Sequence, residues 1–141
     1  MKSPSTISVR KLHLIVGFLF AGVFLATGVY MAVGFPEINQ DDHGMRMMFR
    51  SAHVYILMSA LVNLVMGCYL KLQDQAPARR VQLFGSLLVL ITPAIFLVAF
   101  FVEPAVGRVD RPIVIAGAAA LGIGVILQPF VVLQAPRDDS S

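Results

Sequence analysis

Four stretches of this sequence, at about residues 12–35, 49–72, 81–102 and 112–133, are almost continuously apolar, and only short polar segments separate them. A helix rises about 1.5 Å per residue, so roughly twenty such residues cross a hydrocarbon layer about 30 Å thick. All four runs are long enough. A globule of 141 residues has too little interior to hide them together, so they are expected to face lipid. The composition agrees, with 13% of residues charged and 57% hydrophobic, against about a quarter charged in ordinary soluble domains. The expected fold is all-α: one integral membrane bundle of four transmembrane helices over residues 1–141, with no separate soluble domain.

The first run follows Arg10 and Lys11, as the core of a secretory signal would. It exceeds the usual signal length of about 7–15 apolar residues, so it is expected to be retained. Lys and Arg are held on the cytoplasmic side during insertion. With the N-terminus inside, that side carries Lys2, Arg10, Lys11, Lys71, Arg79, Arg80 and Arg137. The other side carries Arg46, Arg50, Arg108 and Arg111, together with Glu37, Asp41, Asp42, Glu103 and Asp110. Seven cations against four predict an N-in/C-in topology, in what is expected to be a bacterial inner (plasma) membrane. Tyr30 and Tyr55 would then mark the outer interface and Tyr69 the inner one.

The net charge of +3 sits in clusters between the runs, a membrane-topology pattern rather than a nucleic-acid-binding face. Cys68 has no second thiol with which to form a disulfide, redox pair or zinc site. It is expected to be a small buried hydrophobe, with palmitoylation as the alternative. Pro77 is expected to precede the third helix and Pro104 to follow it. Asp110 is placed to cap the fourth, whose first turn tolerates Pro112, and Gln128-Pro129 should bend it near its end.

Lipid tails compete with apolar side chains for contact, so small and polar residues should mark the helix seams. Ser51, Tyr55, Ser59, Asn63 and Gly67 form one i+4 ridge on the second helix. His13, Gly17 and Ala21 form another on the first, continued by Gly28 and Ala32, and the two ridges are expected to meet. On the fourth helix, Ala118/Gly122 and Ala120/Gly124 predict a close crossing.

Asn63 lies near the middle of its span, where its amide must find protein partners. Ser59 and the first helix are the expected suppliers. His13 and His53 are possible haem ligands by type, but they are expected near opposite membrane faces, too far apart for one iron. Asp41, Asp42, His43, Met45, Met47, Met48 and His53 hold donors that suit divalent metals or copper(I). Their spacing matches no fixed signature, and a capped helix start with an apolar first turn accounts for them, so no metal site is assigned. Arg46, Arg50 and His53 fall at i, i+4 and i+7 at phosphate depth. With Tyr55 they form a candidate anion- or lipid-binding face, and Ser51, Ser59 and Asn63 continue it inward as a candidate intramembrane polar seam.

Arg50-Ser51-Ala52-His53, opening the second helix of a four-span chain of this size, resembles the MAPEG family of membrane enzymes, which handle glutathione and lipid-derived substrates. That family's second helix reads Arg-Ala-x-x-Asn-x-x-Glu. Alignment on Arg50 puts Val54 and Leu57 at the Asn and Glu positions, and alignment on Ala52-His53 puts Tyr55 and Met58 there. Neither register restores the polar pair. The expected function is therefore a non-enzymatic accessory or scaffold subunit, or a lipid-interacting bundle. The expected partners are membrane lipid and a further copy or another membrane protein, and no cofactor is assigned. The alternatives are a MAPEG-like or haem-associated enzyme and an oligomeric small-solute transporter. The lack of Asp, Glu, Lys or Arg at mid-depth argues against a proton-coupled pump and leaves a neutral-solute path open.

Overall fold

The structure is a computed structural model that describes residues 8–34, 43–107 and 110–134, with side chains described as far as Pro129. Lys2, Glu37, Asp41, Asp42, Arg108 and Arg137 lie outside the described residues. Those described form four helices and no strand: α1 (Val9–Gly34), α2 (His43–Tyr69), α3 (Ala76–Val106) and α4 (Pro112–Gln134). Each is long and apolar enough to cross a membrane, so this is a multi-pass membrane protein with an all-α fold. Successive helices run antiparallel. Val9, Tyr69, Ala76 and Gln134 lie at one end of the bundle, called here the near end, and Gly34, His43, Val106 and Pro112 lie at the far end.

Two helices outrun their expected limits, for local reasons. α2 begins at His43 because its methionine-rich first turns are apolar enough to pack, and Met45 lies against the core beside Phe49. Pro77 and Pro104, expected to flank α3, both lie inside it. A proline in the first turn gives up an amide that has no helical partner. At the other end the helix runs through Pro104 and stops at Gly107, whose φ of 66° is left-handed and whose N–H returns to the carbonyls of Glu103 and Pro104.

The α1 and α2 ridges meet in their near-end part, whereas Ala32 at the far end is exposed and Ser51 and Tyr55 turn away from α1. A Cβ on Gly17 would lie 2.7 Å from the Leu64 side chain, and one on Gly67 would lie 2.6 Å from that of Leu14, so both glycines permit the close approach. α3 and α4 touch backbone to backbone where Gly85 faces Gly124. The other predicted pair on α4 points the wrong way: Ala118 is exposed, and a Cβ on Gly122 would meet nothing within 4 Å. The inward line of α4 is instead Val114, Gly117, Leu121 and Gly124. Cys68, expected to be buried, is exposed on the outside of α2.

α2 packs on α1 and on α3, and α1 touches α3 lightly, whereas α4 packs substantively on α3 alone. The result is a layer with an open flank between α2 and α4 rather than a closed ring. Its far half is filled by aromatic rings: Phe49 and Phe100 meet edge to face with centroids 5.0 Å apart, and Tyr55 stacks on Phe96 at 5.1 Å. Polar side chains fill the near half.

Candidate functional site

Three helices contribute to a polar cluster in the near half of the interior. From α1, the His13 ring lies with Nδ1 2.7 Å from Asn63 Oδ1 of α2 and Nε2 2.5 Å from Ser86 Oγ of α3. The amide nitrogen of Asn63 donates to the carbonyls of Ser59 (2.9 Å) and Val89 (3.1 Å). Carbonyls only accept, so Nδ2 must be the donor and Oδ1 the acceptor. With the ring neutral, His13 Nδ1 then carries the proton and Nε2 accepts from the Ser86 hydroxyl.

The Val89 acceptor exists because of Pro93. An α-helical carbonyl is normally satisfied by the N–H four residues later, and Pro93 has none. Asn63 fills the gap from the neighbouring helix. Partners from Ser59 and from the first helix were expected, whereas the α3 partners Val89 and Ser86 were not. Ser86 is one hydroxyl in an apolar run, and only the three-helix geometry gives it meaning.

At the near end, Arg10 donates from Nε to the Gly67 carbonyl (3.1 Å) and from Nη2 to the Cys68 carbonyl (2.6 Å). A cation thus closes the C-terminus of α2. Gln82 holds the α2–α3 connection, accepting from the Gln73 amide at 2.8 Å and donating to the Lys71 carbonyl at 3.3 Å. Gln128 of α4 donates to the Gln82 carbonyl at 3.0 Å. Its Oε1 is buried with no hydrogen-bond partner among the described residues.

At the far end the organising group is Glu103, 2% exposed. Its Oε2 receives Arg111 Nε at 3.1 Å, and its Oε1 receives the amides of Ile113 (2.8 Å) and Val114 (2.9 Å). This carboxylate satisfies the first turn of α4 at the end where the helix dipole favours an anion. Asp110 was expected as the cap because residues close to a helix start are the usual ones; Glu103, not foreseen in this role, reaches the amides of Ile113 and Val114 across the α3–α4 turn. Arg111 also donates to Ser51 Oγ and, at 3.5 Å, to the Met48 carbonyl, tying α2 to the α3–α4 hairpin.

The candidate anion-binding residues do not converge. His53 turns toward α1, stacked on Phe24 with centroids 4.0 Å apart and bonded through Nδ1 to Thr27 Oγ1 at 2.9 Å. The Thr27 proton is committed to the Phe24 carbonyl at 2.9 Å, so His53 is the donor. Tyr55 turns toward α3, against Phe96. Arg46 is half-buried and Arg50 exposed. The candidate seam also divides, since Ser51 belongs to the Arg111 network, while Ser59 and Asn63 belong to the near-end cluster. His13 pairs with Asn63, ten residues from His53 along α2. The two rings are thus about 15 Å apart along the helix, roughly half the hydrocarbon thickness rather than most of it, and still beyond one iron. Among the described residues no three His, Cys, Asp or Glu side chains gather into a metal site.

Ser86, His13 and Asn63 have the connectivity of a hydroxyl nucleophile, an imidazole base and an orienting amide. His13 and Asn63 are fully buried and Ser86 is 1% exposed, so a substrate has no route to the hydroxyl while α1, α2 and α3 stay packed. As built, the cluster is an interhelical lock. No protein-family model matches the chain, and no curated protein or solved structure proves similar to it.

Proposed function

We propose that this protein is a non-enzymatic accessory subunit of a bacterial inner membrane, a four-helix scaffold with both termini on the cytoplasmic face. One observation carries the reading: among the described residues α4 packs substantively on α3 alone, which leaves the flank between α2 and α4 apolar and open to the bilayer plane. Membrane helices associate by close backbone approach and a few polar bonds, and an open flank of this kind suits contact with another membrane component. The polar interior supports the same reading, because its groups are spent on neighbouring helices rather than arranged around a reachable space.

The test is a native mass spectrum of the tagged protein extracted in mild detergent. The proposal expects a homo-oligomer or a complex with another membrane protein. A stoichiometric haem or thiol cofactor would replace it with a redox or MAPEG-like enzyme. Fluorophosphonate labelling that vanishes in Ser86→Ala would replace it with a hydrolase.

A further inference from the structure

The open flank is a shaped groove with a chemical gradient along it. Its deeper section, about 430 Å³, is lined by Met58, Leu61 and Val62 of α2 and Val125 of α4. A second section of about 320 Å³ continues toward the near end, where Tyr69, Lys71 and Gln82 join the lining. The two share Val65, Met66, Gln128 and Pro129, so they adjoin along one groove, apolar inside and with Lys71 and Gln82 added to a still largely apolar wall at its mouth. Each is of the size, about 300–1,000 Å³, that holds small molecules.

We propose that this groove binds one anionic phospholipid of the near-end leaflet, with an acyl chain along the Met58–Val125 section and the headgroup at Lys71. Three observations point to that occupant. Lys71 stands at the mouth, on the groove's polar side, and its charge complements a phosphate. The Gln128 side chain lines the junction of the two sections, and its Oε1 is buried with no hydrogen-bond partner among the described residues; a rotation of that side chain into the groove lets a headgroup hydroxyl supply one. Pro129, also in the lining, has no N–H for the Val125 carbonyl, which adds an acceptor at the same level. Lipid tails are as apolar as the groove wall, so the tail brings little selectivity and the polar mouth must supply it. The inference rests on the same open flank as the accessory reading and assigns it to a lipid, so a protein contact made through this groove overturns the lipid and leaves the accessory reading standing.

The test is native mass spectrometry of purified protein equilibrated with equal amounts of dioleoyl-phosphatidylglycerol and dioleoyl-phosphatidylcholine. The expected result is one retained phosphatidylglycerol per chain. Lys71→Gln should lower the preference about fivefold, the worth of one cation at a membrane surface. Leu61→Trp should abolish retention by filling the groove. Leu61 is 51% exposed, so the larger ring leaves the core undisturbed; Val125→Trp gives the same readout from the opposite wall if that variant does not fold. Arg50→Gln, at the far end, should retain the lipid. Equal retention of the two lipids, or full retention in Leu61→Trp, overturns the proposal. A lipid-free dimer dissociated by Leu61→Trp overturns it too, and assigns the groove to a second copy.

Discussion

Pro93 and Asn63 stand in a relation that a double-mutant cycle can measure. Asn63→Ala deletes two bonds that cross between helices, to His13 and to the Val89 carbonyl, and one within α2. Interhelical hydrogen bonds in membranes average about 0.6 kcal/mol and reach about 1.7, so two of them give a loss of about 1–3 kcal/mol. The stranded donor of His13 moves the value toward the upper end. Pro93→Ala alone removes a fully buried ring and returns an N–H to a carbonyl that Asn63 already serves. In the Asn63→Ala background the same N–H fills a vacant acceptor. The cavity cost is common to both backgrounds, so the double variant should be more stable than the sum of the singles by about 0.6–1.7 kcal/mol. Reversible unfolding in mixed detergent–SDS micelles, followed by circular dichroism, gives the four stabilities. Additivity within about 0.3–0.5 kcal/mol would refute the argument that Asn63 substitutes for the missing amide of Pro93.

Three further outcomes are expected. Glu103→Ala removes the carboxylate partner of Arg111 and strands two α4 amides; it should cost about 3 kcal/mol, and hydrogen exchange should quicken first at Ile113 and Val114. Unchanged protection there would remove Glu103 from the capping role. Gly124→Ala should destabilise the α3–α4 pair, because a Cβ would lie 2.7 Å from the Gly85 carbonyl oxygen, whereas Gly122→Ala should be neutral; equal melting temperatures for the two variants contradict the observed face of α4. Reporter fusions after Gln75 and after Ser141 should both read cytoplasm, and a periplasmic signal at either reverses the proposed topology.

The four helices were legible because a long apolar run has one solution in lipid. The α1–α2 seam was legible for a related reason: Gly17, Gly67 and Asn63 are conspicuous against Leu and Val. α4 was harder to read. Ala116–Gly124 is small on every side, so spacing alone could not say that Gly117 and Gly124 face α3 while Ala118 and Gly122 face outward. The prolines misled for the opposite reason. Pro104 reads as a helix stop, yet in the last turn it forfeits one bond and the helix continues to Gly107. The candidate site fared worst, because periodicity on one helix says nothing about what stands opposite. Arg46, Arg50 and His53 share a face of α2, but α1 supplies Phe24 and Thr27 there and draws His53 inward. Ser86 acquires its partner from a helix distant in sequence, and Glu103 acquires its own only when the α3–α4 turn brings the start of α4 back over it.

The placement of the polar groups also bears on the transporter alternative. A path for a polar solute through one copy would need to join the His13–Asn63–Ser86 cluster to the Glu103–Arg111 network. Between those levels the interior is Ile56, Phe96 and Phe100, all fully buried, with Tyr55 stacked on Phe96 and Phe49 set against Phe100. Opening a route there would break aromatic contacts worth about 0.5–1.5 kcal/mol each beyond their burial. It would also separate α2 from α3 at the depth where the rings hold them together. The groove beside α4 lies outside this plug and leads from the near-end headgroup level into hydrocarbon rather than across it. An amphiphile that enters from the bilayer and stays suits that geometry better than a solute that crosses. Leu61→Trp separates the two cases: it should abolish lipid retention, and a solute flux that passed between α2 and α3 would be unaffected by it.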